Sequence, residues 1–351
     1  MKFKSISDIH YANVEISSRC NAACPFCSRN YNGYGVRDNF PLRDMTQDEF
    51  SKIMDPVLGH PKFFLDFSGT YGDPCINPDF KKILEYVSKK YPHVKINVHT
   101  NGGMHKSDWW QDLARYKMIQ IDFALDGLAD THGIYRQRTD WHRVIENATS
   151  FIQAGGNATW QFIKFKHNEH QQEECRQLAK ELGFKTFKVF DDNRDTGPAY
   201  TPDGEPFAIG DYTEKLLPVE EFVAQEKQFQ IEYEKNNQQQ FVRELDSVYE
   251  EVDCWALPGK IYVAVNGDVW PCCWLGGTFP LTSDTDNGWQ LKKLPLKINA
   301  FEYSLDEIFA SWQSIADTWT GDKPLSTCVK ICGKCGDYSG QKPEGEYENF
   351  N

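Results

Sequence analysis

A chain of 351 residues is long enough for one large domain or two, with ample apolar material for a core. A formal net charge of −13 repels nucleic-acid backbones, which excludes nucleic acid as an expected partner and favours a small molecule or a peptide. No apolar run reaches transmembrane length, so no membrane partner is expected and a cytoplasmic location is; eleven cysteines then argue for metal or cluster binding before disulfides.

The first element, Val14-Glu15-Ile16-Ser17-Ser18, alternates as a short strand. It leads into Cys20-Asn21-Ala22-Ala23-Cys24-Pro25-Phe26-Cys27, whose three thiols can reach three irons of one [4Fe-4S] cube and leave the fourth iron open. Zinc is the alternative, but it usually takes four ligands in paired hooks. Thr46 to Glu49 caps a helix through about Leu58, and strands and helices then alternate. Strands are expected at 63–68, 95–99, 119–125, 160–165 and 186–190, with helices at 77–90, 107–116, 141–154 and 169–182. Six strands separated by helices mean parallel strands and right-handed crossovers, an α/β barrel or part of one.

Each strand offers one apolar face to the outer helices: Phe63, Leu65 and Phe67, then Ile96 and Val98, then Ile119, Ile121 and Phe123. The opposite faces carry Glu15 and Ser17, Asp66 and Ser68, Asn97 and His99, and Gln120 and Asp122. A closed eight-stranded barrel fills its interior with branched apolar side chains, so this polar row implies a wider, open barrel with a wet cavity. Glu15, Asp66, His99, Asp122 and Gln161 are the candidates for lining it and for acid or base work. Cys75 and Cys175 read as buried packing residues, and His167-x-x-His170 as a surface pair.

The spacing Cys20-x-x-x-Cys24-x-x-Cys27, with an aromatic residue just before the last cysteine, resembles the signature of the radical S-adenosylmethionine (SAM) superfamily. The resemblance implies a partial (β/α)6 TIM-like barrel, a [4Fe-4S] cluster whose open iron chelates SAM, and an electron donor such as flavodoxin or ferredoxin. It implies further that SAM is split to methionine and a 5′-deoxyadenosyl radical, which takes a hydrogen atom from the substrate. Phe26 is expected near the adenine. Gly69-Thr70-Tyr71-Gly72-Asp73-Pro74 resembles the family's Gly-Gly-Glu-Pro segment that binds the SAM amino group, with the shorter Asp73 in place of Glu and the backbone carbonyls expected to serve still. Thr100-Asn101-Gly102 resembles another SAM-contacting turn, an ordinary Asn-Gly turn being the other reading. Ala124-Leu125-Asp126-Gly127 is similar to Ser-x-Asp-Gly; Ala124 cannot reach the ribose as Ser would, and Asp122 is the candidate in its place. Asn168 resembles a further SAM-contacting polar residue, or simply caps a helix.

From Asp191 to about Pro218 the composition reads as a loop, and Val219 to Tyr249 as a solvated helix at best. Beyond lie Cys254, a hairpin turning at Asn266-Gly267 before Cys272 and Cys273, a helix with Leu305, Ile308, Phe309, Trp312 and Ile315 on one face, and Cys328-x-x-x-Cys332-x-x-Cys335. This set resembles the SPASM/twitch extension of radical SAM enzymes, in its shorter twitch form with one auxiliary [4Fe-4S] cluster. The resemblance implies Cys254, Cys272, Cys332 and Cys335 as ligands, with Cys273 and Cys328 as substitutes and a four-cysteine zinc knot as the alternative. The expected domains are a core over 1–190, a linker and polar helix over 191–250, a small β-hairpin/helix auxiliary-cluster domain over 251–336, and a flexible tail over 337–351. The expected function is oxidation or cross-linking of a peptide, or oxidation of a small polar molecule. A rearrangement or carbon-group transfer, and a metal-bearing binding protein without turnover, are the alternatives.

Overall fold

The structure is a computed structural model that describes residues 3–38, 40–68, 70–191, 196–236, 252–254, 256–276, 291–320, 325–333 and 346–350. Its strands are β1 (Tyr11–Val14), β2 (Phe64–Phe67), β3 (Lys95–Thr100), β4 (Ile119–Ala124), β5 (Asn157–Lys164), β6 (Thr186–Asp191), β7 (Gly197–Tyr200), β8 (Pro206–Ile209), β9 (Lys260–Val263), β10 (Val269–Trp270) and β11 (Glu346–Asn349). The longer helices are α1 (Gln47–Leu58), α2 (Phe80–Lys90), α3 (Ser107–Leu113), α4 (Trp141–Gln153), α5 (Gln172–Leu182), α6 (Val219–Asn236), α7 (Leu305–Ser311), α8 (Gln313–Thr318) and α9 (Ser326–Cys332). The chain forms two units interleaved along the sequence: 1–15, 45–65 and 224–342 make the first, and 16–44, 66–223 and 343–351 the second. The units therefore do not follow the sequence-order division at 190, 250 and 336. No described helix is long and apolar enough to cross a membrane.

In the first unit β1 runs parallel to β9, Tyr11 opposite Lys260 and Val14 opposite Val263. The first strand thus lies three residues earlier than the sequence reading put it. The Glu15 N–H still donates to the Val263 carbonyl at 2.8 Å, but Ile16 to Ser18 leave that ladder, and Ser17 Oγ donates instead to Asp44 Oδ1 at 2.6 Å. β9 and β10 form the expected hairpin, with Gly267 at φ +87°, a left-handed conformation that glycine adopts without steric cost. Helix α1 is closed by the Thr46/Glu49 capping box. Leu305, Ile308, Phe309, Trp312 and Ile315 are all buried, on α7 and α8, which meet at Trp312.

In the second unit β3, β4, β5 and β6 are parallel neighbours in chain order, and Asp66 and Phe67 of β2 lie beside β3. Two crossover helices bury an i, i+3, i+4, i+7 stripe: Phe80, Ile83, Leu84 and Val87 on α2, and Val144, Asn147, Ala148 and Phe151 on α4. This is the α/β architecture expected for part of a (β/α) barrel. Two segments differ from the sequence reading. Within 191–218, read as a loop, β7 and β8 pair antiparallel; Pro198 and Pro206, poor strand residues, hid the hairpin. Within 337–351, read as a flexible tail, β11 pairs antiparallel with β6, Glu346 opposite Val189 and Asn349 opposite Thr186, a short polar strand without apolar periodicity.

Candidate active site

The cysteine loop is folded by its own carbonyls. Cys27 N–H donates to Cys24 O at 3.1 Å, and Asn30 N–H to Cys27 O at 2.9 Å. The buried Arg29 Nη2 donates to Ala22 O at 2.6 Å and to Cys20 O at 3.4 Å. Cys24 is buried, with Cys20, Cys27 and Phe26 packed beside it, in a cluster that includes Tyr135, Phe165 and Ile209. Burial pushes the Cys20 thiol up, and pushes Cys24 up to about 11 against the pull of Arg136. The Arg136 Nη1 lies 3.9 Å from Cys24 Sγ, and its Nε donates to Asp126 Oδ2 at 2.5 Å. Asp126 is buried and also accepts from Ile163 N–H at 2.7 Å. Three soft thiols beside the buried Arg29 and the partly buried Arg136 make a donor set suited to an anionic iron-sulfur cluster. Among the described residues no three such side chains gather at one point as a single bound ion requires.

Asp73 ties this loop to the end of β3. Its carboxylate, buried, accepts from Thr100 Oγ1 at 2.9 and 3.0 Å, from Asn101 N–H at 2.8 Å, from Asn101 Nδ2 at 2.7 Å and from Cys75 N–H at 3.0 Å. Burial raises its pKa while these donors pull it down. Asp73 N–H donates to Arg19 O at 2.8 Å, and Asn101 Nδ2 also reaches Asn21 Oδ1 at 2.9 Å and Cys20 Sγ at 3.5 Å. The Asp73 side chain is thus engaged within the protein, while the groups of this segment expected to serve SAM are its backbone carbonyls. Gly72 has no room for a side chain, since a Cβ there would stand 1.9 Å from Ser17 O. Gly69 lies outside the described residues. Asn168 accepts from Phe165 N–H at 2.7 Å and donates to Ile163 O at 3.0 Å, so its amide braces the turn after β5. Phe26 lies 6.3 Å from Tyr135, ring to ring, and lines a cavity of about 310 Å³ with Asn30, Asn32 and Arg37.

One to two residues below that knot, the polar faces of the strands meet. Register sets His99 opposite Asp122, Ala124 opposite Gln161 and Gln161 opposite Lys188. His99 Nε2 lies 3.1 Å from Asp66 Oδ1 and its Nδ1 3.7 Å from Asp122 Oδ2. Gln161 Oε1 is 3.4 Å from Nδ1. Lys188 Nζ donates to Asp122 Oδ2 at 2.9 Å. Two carboxylates therefore face two cations, and the site balances its own charge. Burial works against the His99 cation, but Asp66 and Asp122 outweigh it and raise the imidazole to about 9. Burial likewise works against the Asp122 anion, and His99 and Lys188 outweigh it and lower that carboxyl. Asn97 Nδ2 donates to Asp66 Oδ1 at 3.3 Å and to Asp122 Oδ2 at 3.4 Å and sits 2.8 Å from His99 Nε2, so the amide spans the two carboxylates. Glu15 belongs to the first unit, buried, with Tyr262 Oη at 3.3 Å from its Oε2.

The second cysteine set lies in the first unit. Asp253 N–H donates to Cys332 O at 2.8 Å and Val252 bridges Gly333, which brings Cys254 beside the end of α9. Burial pushes Cys254 up to about 11, with Cys332 adding to it. Burial also raises Cys272, assisted by Cys273, Cys328 and Cys254. Cys328, treated in the sequence as a substitute, is buried near them: burial pushes its thiol up to about 12, and Cys254 and Cys332 add to the rise. Cys335 lies outside the described residues.

Arg136, Lys188 and Arg29 did not emerge from sequence reasoning. Lys188 was within reach of it, because Phe187 and Val189 alternate with Thr186 and Lys188 as on the earlier strands. The two arginines fall in irregular segments, where no periodicity marks them.

Residues 14–182 match the family model described as "Radical SAM superfamily". The chain is 26% identical over 124 residues to the tungsten-containing aldehyde ferredoxin oxidoreductase cofactor-modifying protein of Pyrococcus furiosus, a match covering 35% of this chain and 33% of that one. It is 24% identical over 180 residues to the antilisterial bacteriocin subtilosin biosynthesis protein AlbA of Bacillus subtilis, covering 50% and 38%. The matches thus span little more than a third of these curated relatives. Among solved structures, Streptococcus suis SuiB bound to S-adenosylmethionine superposes with a TM-score of 0.56 at 16% identity, over 94% of this chain and 73% of that one. SuiB bound to its precursor peptide SuiA gives 0.53 at 19%, over 86% and 65%. At these identities the likeness is one of fold.

The raised imidazole gives a pH prediction. His99 goes from an ordinary 6.5 to about 9, so the stability it contributes is fully present below about 6.5 and is lost as pH rises through about 9. Ring-resonance titration is expected to give a His99 midpoint near 9 that falls in Asp66→Asn. The His99→Gln variant is expected to lose the part of the stability slope between those two pH values; a midpoint near 6.5 in wild type contradicts the charge pairing.

Proposed function

We propose, for a chain that belongs through residues 14–182 to the radical SAM superfamily, that it modifies a peptide by oxidising or cross-linking one of its side chains. The observation that carries the reading is the closeness of the cysteine loop to the polar cluster along one strand. Asn101, at the end of β3, reaches Cys20 Sγ at 3.5 Å, and His99, facing Asp66 and Asp122, lies two residues back, about 7 Å along the strand. The family's chemistry uses a [4Fe-4S] cluster and SAM. Cys20, Cys24 and Cys27 would hold the cluster. When bound, that cluster and SAM supply a 5′-deoxyadenosyl radical able to take a hydrogen atom from an unactivated carbon.

The chain's own residues would do the rest. Asp73 holds Thr100 and Asn101 in place, and Asn101 directs an N–H at Cys20. Arg136, fixed by Asp126, offers a cation beside Cys24. His99 keeps its proton to about pH 9 and would donate to a peptide carbonyl rather than act as a base at neutral pH. Losing a hydrogen atom, then one electron and one proton, oxidises the peptide by two electrons. The second cysteine set would hold the acceptor of that electron as an auxiliary [4Fe-4S] cluster, and the proton would pass to water. The burial of Cys328 near the neighbouring cysteines supports it as a ligand beside Cys254, Cys272 and Cys332, with Cys335 in competition for the fourth place. A peptide substrate is favoured by the fold shared with SuiB, which has been seen with the precursor peptide SuiA.

The test uses a uniformly deuterated synthetic peptide copied from a short open reading frame beside the gene, with SAM and dithionite. Transfer of deuterium into 5′-deoxyadenosine, with the peptide losing that deuterium and one further hydrogen isotope, is the expected result; unlabelled 5′-deoxyadenosine and an unchanged peptide contradict it. For the second set, Cys328→Ser is expected to drop iron from about eight to about four per chain while Cys273→Ser retains it. Full iron in Cys328→Ser removes Cys328 from the ligand set.

A further inference from the structure

A cleft of about 870 Å³ in the second unit is bounded by the segment after β4, by Lys166 and His167, and by the β7–β8 hairpin. Three polar groups on its walls have no partner among the described residues. His167 stacks on Phe165, ring centroids 5.2 Å apart, and both its ring nitrogens are buried and unpaired. Gln137 is 8% exposed, and its Oε1 lacks a donor. Arg138 is an exposed cation held at φ +61°, a left-handed backbone that costs any residue but glycine. The nearby carboxylates are already engaged: Asp130 accepts from Gln171 Nε2 at 2.9 and 3.1 Å, and Asp211 pairs with Lys166.

One wall of the cleft is a strand edge. Tyr200 N–H points away from β8 and donates to Asn32 O at 2.9 Å, so the pair Tyr200/Pro206 is not hydrogen-bonded. By antiparallel alternation Ala199/Phe207 and Gly197/Ile209 carry the ladder bonds, and Pro198/Ala208 does not. The Ala208 N–H and C=O and the Pro206 C=O therefore face outward, and they have no partner among the described residues. Natural sheets cover or blunt such an edge, because it accepts another strand. The edge is also joined to the cysteine loop. Phe207 and Ile209 pack into the cluster that holds Cys20, Cys24 and Cys27, and Gln137 O accepts from Ala23 N–H at 2.9 Å.

We propose that this cleft binds an extended segment of the peptide substrate by strand addition to β8, its main chain bonded to Ala208 and Pro206 and an acidic side chain meeting Arg138 and His167. The proposal rests on the peptide reading above, and it adds where the peptide docks and what it must carry. A second copy of the chain is the poorer occupant, since each carries −13. Ala208 also makes the edge testable: its N–H takes no part in the β7 pairing, so proline there removes the outward donor alone.

The probe is a short fluorescein-labelled peptide alternating threonine and valine around a central glutamate, titrated into the full chain and followed by anisotropy. Saturable binding is expected, weakened about tenfold in Ala208→Pro, a loss of about 1.4 kcal/mol. Arg138→Asn, which tolerates the left-handed backbone, is expected to weaken the glutamate peptide about tenfold and to leave its glutamine analogue unchanged. Thermal melts report whether Ala208→Pro folds; if it does not, Arg138→Asn decides. No saturable binding by wild type, binding unchanged in both variants, or a wild-type dimer that Ala208→Pro splits overturns the proposal. Formation of 5′-deoxyadenosine by wild type without peptide is measured in parallel, so a failure of docking is distinguished from a failure of the radical reading.

Discussion

The buried Asp73 carboxylate is the constraint on which the site depends. A carboxylate removed from water must be met by donors or give up its charge, and here Thr100, Asn101 and Cys75 meet it. Satisfying it pulls the segment after β2 against the end of β3, while its own N–H holds Arg19 at the start of the cysteine loop. Gly72 lets that approach happen, for any side chain would strike the Ser17 carbonyl. The result is a loop of three thiols supported from below by a hydrogen-bonded knot. Asp73, which stands in the sequence where the resembling motif has Glu, serves in the structure as the tie between the segment after β2, the end of β3 and the cysteine loop.

Below the knot, charge balance explains why so many ionisable groups share one sheet face. Asp66 and Asp122 hold His99 charged, and Lys188 completes the pairing. Isolated, each would be costly to bury; together they compensate one another, with the His99 side chain 30% exposed against 12% for Asp66. The cysteine loop uses the same logic, with Arg29 and Arg136 supplying positive charge where thiolates would sit.

Much of this was legible in the sequence because period-two alternation and strand-helix-strand order are local signals. Asp66, His99, Asp122 and Gln161 could be placed on one face by counting alone, and the crossover helices by their order between the strands. What failed was non-local. Tyr11–Val14 is a strand because β9, almost 250 residues away, pairs with it. Glu346–Asn349 is one because β6 has a free edge, and the β7–β8 hairpin forms despite its prolines. Arg136 reaches Cys24 across more than a hundred residues, and no pattern in its own segment announces it. Cys328 gained its claim to be a ligand only through its burial near the other cysteines, which its own segment does not announce.

The central claim is that the Cys20, Cys24 and Cys27 loop holds the cluster that cleaves SAM. The most direct measurement is 5′-deoxyadenosine formed anaerobically from SAM and dithionite by reconstituted wild type and by a variant with Cys20→Ala, Cys24→Ala and Cys27→Ala, each with its iron content and EPR spectrum. The account predicts cleavage by wild type alone, with the variant keeping only the iron of the second cysteine set. Cleavage by the variant, or none by a wild type loaded with both clusters, would contradict it.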